Sequence, residues 1–274
     1  MCVWSKVSKS GFYEWRHRPA SATAERRAAL AVRIRAIFVD SDEAYGYRRV
    51  HIQLGYDGVE AGPELVRSIM IEEGLVACQP RPYRVTTMPG AGADAPADLV
   101  QRDFTAGAPG TKLVGDITYI PTWQGWVYLA TVIDCYSSMV VGYAMADHMR
   151  VSLVTDALDM ARRNGGIQPR CIFHSDRGSQ YTSGPIARHL SFWDMRGSMG
   201  RTGVCWDNAK AESFFASLKK ELVHRTVYST RQKAIDAVAH WIEVRYNRKR
   251  LHSGIGYRIP AEVHCAYEAQ ADVA

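Results

Sequence analysis

The sequence predicts an α/β protein: a mixed sheet flanked by helices, preceded by a small all-helical domain. Three observations carry this. Residues 1–79 show only helical periodicity, residues 113–145 break into three β-branched runs with short turns between them, and from residue 152 helices and strands alternate. The change from a 3.6-residue to a two-residue period falls after a segment with neither.

In chain order, SKVSKSGFYEWRHRP offers Ser8 or Ser10 as a cap before a short helix carrying Phe12, Tyr13 and Trp15, which Pro19 stops. Thr23 to Val39 places Leu30, Ile34, Ile37 and Phe38 at helical spacing with arginines between them. Tyr47 to Leu54 and Pro63 to Glu73 form a second helical pair, broken at Gly55 and Gly58, with Pro63 suited to a first helical position. Arg48, Arg49 and Arg67 make this compatible with a helix-turn-helix DNA reader, and equally with a plain helical bundle. Residues 80–97 hold four Pro and two Gly without a period, which is linker composition.

The strands follow. LVGDITYIP, WVYLATVID and MVVGYAM are separated by a Trp-Gln-Gly turn and a short polar break, which implies an antiparallel meander with central strands buried on both faces. Ser152 to Arg163 is a helix ending at Asn164-Gly165-Gly166. RCIFHSD is a strand with a polar end, Pro185 to Trp193 a helix, and Met195 to Met199 a short strand. A polar loop then ends at Asp207 and Asn208, expected to cap a helix that runs to Glu221. On that helix Glu212, Phe215, Ala216 and Lys219 share one face. An amphipathic surface helix with a solvated glutamate accounts for this run as well as a ligand-bearing one does.

Composition bounds the class. The 274 residues are 47% hydrophobic and 23% charged, as in a soluble globular protein, with a net charge of +6. Residues 1–97 carry 13 Lys/Arg against 11 Asp/Glu, whereas residues 213–250 carry 9 against 3. The excess cation therefore lies just beyond Glu212 and suits a polyanionic partner. Six scattered cysteines without Cys-x-x-Cys or zinc spacing suggest reduced thiols. No signal peptide and no apolar run near the ~20 residues of a membrane span is evident, so a cytoplasmic protein is expected.

The chemistry rests on carboxylates. Asp116 lies in a strand whose neighbours Ile117, Tyr119 and Ile120 read as buried, and an acid there calls for compensation, for instance by a cation. Asp176 ends a strand, where α/β folds place ligands. Glu212 follows after 35 intervening residues, on a helix. A surface aspartate at a strand edge and a turn-forming aspartate before Arg-Gly are the ordinary alternatives for the first two. As a set, hard oxygen donors with few other side-chain ligands suit Mg²⁺ or Mn²⁺. Two such ions roughly 4 Å apart can drive an in-line phosphodiester displacement. No Ser/His/Asp or Cys/His arrangement and no phosphate-cradling glycine loop competes.

DITYIPT, ATVIDCYS, VVGYAMADH, FHSDRGSQYTS, GSMGRTGVCWDNAKAESFFASLKKE and RYNRKRLHSGIGYRIPAE resemble the integrase-core motifs of bacterial insertion-sequence transposases. The group is the one whose elements encode two overlapping frames and copy out through circular DNA; the resemblance is to the second-frame product and spans nearly the whole chain. It implies a ribonuclease H-like fold shared with retroviral integrases, with Asp116, Asp176 and Glu212 as the catalytic, metal-binding triad. It also implies DNA (element ends and target) as partner, a homo-oligomer in the DNA complex, and strand cleavage followed by 3′-hydroxyl strand transfer. The expected divisions are a helix-turn-helix-like region at 1–79, the linker 80–97, the catalytic core 98–225 and a basic helical extension 226–274. There is no His-His-Cys-Cys zinc module of the retroviral kind. The helix-turn-helix and leucine zipper of the first frame are expected from a fused or associated product, because the chain opens close to SKSGFYEW. Gly115 and Gly200 stand where the family often has a bulkier residue and a Ser. A non-catalytic DNA-binding partner or repressor derived from a transposase is the other class the sequence admits.

Around the triad, His174 shares a strand face with Asp176 and either touches a ligand or is structural. Asp207 and Asn208 are expected to aim Glu212, and Asp134 to be structural or to support a ligand residue, not to ligate directly. Arg177, Gln180 and Tyr181 follow Asp176 on a loop that could reach DNA. Lys219, Lys220, Arg245, Arg248, Lys249 and Arg250 are candidate phosphate contacts, with a solvated helix end as the alternative for the last four.

Overall fold

The computed structural model describes residues 4, 7–78, 96–200 and 205–271. The expected linker thus lies outside the described residues except for 96 and 97, as do residues 201–204 of the polar loop. The chain divides into two compact units, residues 1–78 and 79–274.

In the first unit α1 (Lys9–His17) begins at Ser8, whose Oγ accepts from Gly11 N at 3.0 Å, and buries none of its residues. Ser21 caps α2 (Ala22–Asp40) in the same way. With α3 (Tyr47–Tyr56) and α4 (Pro63–Glu72), α2 forms a small core of Leu30, Ile34, Phe38, Val50, Leu54, Val66 and Ile69. Arg27 bridges α2 to Glu72 and Ser68 of α4, and Arg35 pairs with Glu73.

The second unit is built on a five-stranded sheet in the order β3-β2-β1-β4-β5. Strands β1 (Lys112–Thr122), β2 (Gly125–Asp134) and β3 (Val140–Ala146) form the expected antiparallel meander. Strand β4 (Ile172–Ser175) pairs parallel to β1, and β5 (Arg196–Met199) parallel to β4. Alternate residues serve opposite cores. Leu113, Ala130, Val132 and Val141 face α5 (Val151–Arg163) and α6 (Gly184–Phe192), while Val114, Leu129, Ile133 and Val140 face α7 (Ala209–Glu221) and α8 (Arg231–His240). Burial on both faces is why these strands read as almost continuous apolar runs.

The segment beyond residue 225 packs into that second core. After α8 the chain continues as a π-helical turn, Trp241–Tyr246, in which Trp241, Ile242 and Tyr246 are buried against Phe214 of α7, and it ends in α9 (Pro260–Ala271). Asn247 completes the edge of β3, accepting from Val140 N and donating to Val140 O, both at 3.0 Å. Asp134 is structural, as expected: fully buried, it accepts from Gly110 N and from Ser137 N and Oγ. Among the described residues no helix is long and apolar enough to cross a membrane.

Two glycines are demanded by close approach. A Cβ on Gly142 would lie 2.2 Å from Ala157 O, because β3 rests directly on the backbone of α5. A Cβ on Gly115 would lie 2.4 Å from the Phe173 ring, so the departure from the family pattern at Gly115 makes room for that ring. Gly115→Ala is therefore expected to destabilise the protein by about 1–3 kcal/mol through overpacking. Thermal denaturation checks this, and Phe173→Leu in the same chain should restore part of the loss.

Candidate active site

The site sits where β1 and β4 part. Their parallel ladder ends at Val114↔His174, and continuing its register by two residues sets Asp116 opposite Asp176. Period-two alternation turns both acids toward the α7 face. Asp116 Oδ1 accepts from Ile117 N at 2.7 Å and Asp176 Oδ1 from Gly178 N at 3.0 Å, so each carboxylate is held by local backbone through one oxygen.

The start of α7, the helix that carries Glu212, is tied to both strands. Asn208 Nδ2 donates to Gly115 O at 3.2 Å, one residue before Asp116. His174 Nε2 donates to Asp207 O at 2.8 Å, two residues before Asp176. Lys210 Nζ donates to Cys135 O at 2.6 Å. Asp207 is itself buried and paired with Arg102 at 2.8 Å. The expectation that Asn208 acts as a side-chain cap needs correction. Asn208 is the N-cap but makes no side-chain capping bond, and its amide is spent on the strand instead. Gly200 lets Asp207 come close, since a Cβ there would lie 2.8 Å from Asp207 Cβ.

His174 has both ring nitrogens engaged within the protein. It is fully buried, and because a carbonyl can only accept, Nε2 carries the proton while Nδ1 accepts from Ser198 Oγ at 2.8 Å. Burial pushes its pKa below the usual imidazole range, which keeps it neutral.

Asp116 is perturbed by its surroundings and by both other acids. Asp116 is half-buried, and its carboxyl is pushed up from 3.8 to about 8, by burial first, then by Asp176 and by Glu212; the Ile117 amide and Lys219 oppose this. Burial also raises Glu212. Asp176 and Glu212 are exposed and open to ligands. The donor chemistry suits a hard divalent cation: carboxylate oxygens, with negative charge exceeding what Lys219 offsets. Among the described residues, however, no group of three or more His, Cys, Asp or Glu is closed tightly enough to chelate an ion as it stands.

A raised carboxyl pKa makes the native state bind more protons than the unfolded chain between about pH 4 and 8, so its contribution to stability is lost as pH rises through that window. Asp116→Asn should remove this loss. In metal-free protein it is expected to stabilise by about 2 kcal/mol at pH 8, a Tm rise of about 5 °C, with little change at pH 4. Calorimetry at the two pH values decides it.

Other predicted residues disperse. Tyr181 is buried against Phe173, with a hydroxyl that has no hydrogen-bond partner among the described residues, and so is not a surface contact. Arg177 donates through Nε to Gly200 O, and Gln180 to Met149 O. Lys219 is half-buried over the Tyr119 ring at 5.5 Å. Lys220 and Arg245 are half-buried, Arg248 and Lys249 exposed. Arg250, expected at DNA, is turned inward to Glu221. Tyr119, expected to be buried, is 43% exposed. Sequence reasoning passed over Arg102 and Lys210, which lie far along the chain from their partners and carry no local signal.

Similarity to known proteins agrees with this geometry. Two families described as "Integrase core domain" match residues 106–205 and 194–260, and an "HTH-like domain" family matches residues 25–83. The "Transposase InsF for insertion sequence IS3A" of Escherichia coli (strain K12) is 36% identical over 264 residues, covering 96% of this chain and 92% of that protein. The "Insertion element IS600 uncharacterized 31 kDa protein" of Shigella sonnei is 34% identical over 271 residues, covering 99% and 100%. Among solved structures, a chain of the simian T-cell lymphotropic virus intasome in complex with PP2A regulatory subunit B56 gamma has a TM-score of 0.50 at 14% identity, covering 78% of this chain and 70% of its own, a likeness of fold. A five-stranded mixed sheet carrying acids at the parting of β1 and β4, behind a helical region that matches an HTH-like domain, joins these full-length identities in one conclusion: the chain belongs to the IS3 family of insertion-sequence transposases, as an InsF-like, second-frame product with an integrase core.

Proposed function

We propose that this chain cleaves one DNA strand at the end of an insertion element, freeing a 3′-hydroxyl, and then joins that hydroxyl to a second phosphodiester in target DNA. The observation that supports this reading is the register that sets Asp116 beside Asp176 beneath the pinned start of α7. In the first step water forms a P–O bond as the bond to the 3′-oxygen breaks; in the second the 3′-oxygen forms a P–O bond as one in the target breaks. Each step exchanges like for like, so neither needs an external energy source.

Asp116, Asp176 and Glu212 would hold Mg²⁺, or Mn²⁺ in its place, as a pair of ions. Bound there, such ions supply Lewis-acid charge that activates the attacking oxygen and stabilises the departing one. The chain's own part is positional. Asn208 and His174 fix the start of α7, and the Ile117 and Gly178 amides orient the two aspartates. Lys219, Lys220, Arg177, Arg245, Arg248 and Lys249 would meet phosphates without reading sequence. A homo-oligomer on DNA, association or fusion with a first-frame helix-turn-helix protein, and a DNA-associated place in the bacterial cytoplasm belong to the same reading.

The test is strand cleavage and strand transfer on element-end DNA with Mg²⁺, comparing wild type with Asp176→Asn. Equal products from both would remove the catalytic assignment. DNA binding without nicking by folded wild type would favour the non-catalytic partner or repressor instead.

A further inference from the structure

The β1–β2 hairpin projects aromatic side chains at solvent. Tyr119, Trp126 and Trp123 are 43%, 47% and 77% exposed, although each belongs to a residue type that folding normally covers. Tyr119 and Trp126 lie on one face of the hairpin and meet edge to face, with ring centroids 4.8 Å apart. Trp123 occupies the turn.

Flexibility does not account for their exposure, because the turn is braced on several sides. Thr122 Oγ1 donates to Gly125 O at 2.6 Å and accepts from Gln124 N at 3.1 Å. Trp123 N donates to the carbonyl of buried Tyr228 at 3.0 Å. Arg231 closes the back, its N donating to Gln124 Oε1 and its Nε to Trp126 O. Large aromatic faces held rigidly in water suit a flat ligand, because little side-chain entropy is left to lose on binding.

Two features say which flat ligand. The platform is flanked by cations: Lys219 Nζ stands 5.5 Å over the Tyr119 ring, and Arg231 lies along the turn. It also lies near the candidate active site, three residues along β1 from Asp116 and on the other face of the strand. Beyond Val114 β1 pairs with no further residue of β4; Asn208 holds the Gly115 carbonyl, and past it Lys219 spans the strand edge from α7 to Tyr119 within electrostatic reach of Asp116. Anionic charge with a flat apolar face, next to a phosphodiester, describes a nucleotide whose base has left the duplex.

We propose that Tyr119, Trp123 and Trp126 form a stacking platform for an unpaired nucleobase adjoining the phosphodiester held at Asp116 and Asp176. This rests on the reading of those acids as a DNA-processing site and adds a base-binding element beside it. Stacking is tolerant of base identity, so the platform selects for unpairing and not for sequence.

The test uses the full chain without divalent cation, so that binding is read apart from chemistry. The probes are a fluorescein-labelled blunt duplex, the same duplex with a three-nucleotide single-stranded overhang, and that overhang with abasic sites. The overhang should bind about ten-fold tighter than its abasic counterpart and quench tryptophan fluorescence. Trp126→Ala and Trp123→Ala should each erase most of this preference while leaving blunt-duplex affinity and Tm unchanged; Tyr119→Phe should retain it and Tyr119→Ala lose it. Equal binding of overhang and abasic probes, or an unchanged preference in the tryptophan variants, would overturn the platform. So would tryptophan variants that alter only self-association in sedimentation, which would make this face a contact between copies. Asp176→Asn should keep the overhang preference. Loss of cleavage dependence on Asp176 would therefore sink the catalytic reading alone, and loss of base preference with duplex binding intact would sink the platform alone.

Discussion

Asp176→Asn is expected to lower both strand cleavage and strand transfer by roughly three orders of magnitude, about 4 kcal/mol of transition-state stabilisation. The substitution keeps the size of the side chain and the Oδ1 that accepts from Gly178 N, so the loop after β4 should be unchanged. What it removes is one negative oxygen donor, directly across from Asp116 in the extended β1–β4 register. Unchanged circular dichroism together with lost product formation is the expected result. Because one site would serve both steps, the two activities should fall together; a variant that joined a precut 3′-hydroxyl at the wild-type rate would contradict a shared centre.

The second large effect concerns stability. Arg250→Ala is expected to cost about 3–5 kcal/mol and to lower Tm by about 10 °C. Arg250 and Glu221 keep only 8% and 7% of their side chains exposed, and Arg250 binds the carboxylate through both Nε and Nη2, the latter at 2.7 Å. The guanidinium also donates to Ser217 Oγ and lies over the Tyr246 ring. Truncation leaves the Glu221 carboxylate buried without its main counter-charge, which costs more than the pair itself contributes. Replacing both members by Met and Leu should recover much of the loss. At a temperature where both variants are folded, Arg248→Ala should weaken DNA binding and flatten its salt dependence, whereas Arg250→Ala should do so little, since Arg248 is exposed and Arg250 is not. Thermal melts and salt titrations separate the two arginines.

That contrast shows where sequence reading stops. Arg245, Arg248, Lys249 and Arg250 form one basic run, and nothing local tells its inward member from its outward ones. The partner that decides, Glu221, lies in another helix. Tyr119 misled in the opposite direction. An aromatic in a β-branched run reads as core, yet β1 outlasts its pairing with β4, so the residue comes to rest beyond the end of that ladder. The helix caps divided in the same way. Ser8 bonds the amide three residues on, as its sequence context predicts, and Ser21, which the sequence reading did not single out, does the same. Asn208 has the same chemistry, but a strand carbonyl competes for its side chain and takes it.

From its amino acids alone this chain declared its element order, the α/β class with a helical region in front, and three acids whose spacing and motifs resemble an integrase core. Those features follow from local periodicity, turn chemistry and recognisable short motifs, each carried by residues near one another in the chain. Only the tertiary structure decided that Asp116 and Asp176 share a register, that His174 and Asn208 lash α7 to the two strands, that Arg250 is an internal counter-ion, and that the β1–β2 hairpin shows its aromatics to solvent. These depend on residues tens of positions apart competing for the same hydrogen bonds, charges and surfaces, and that competition is resolved only when the sheet and its helices close on one another.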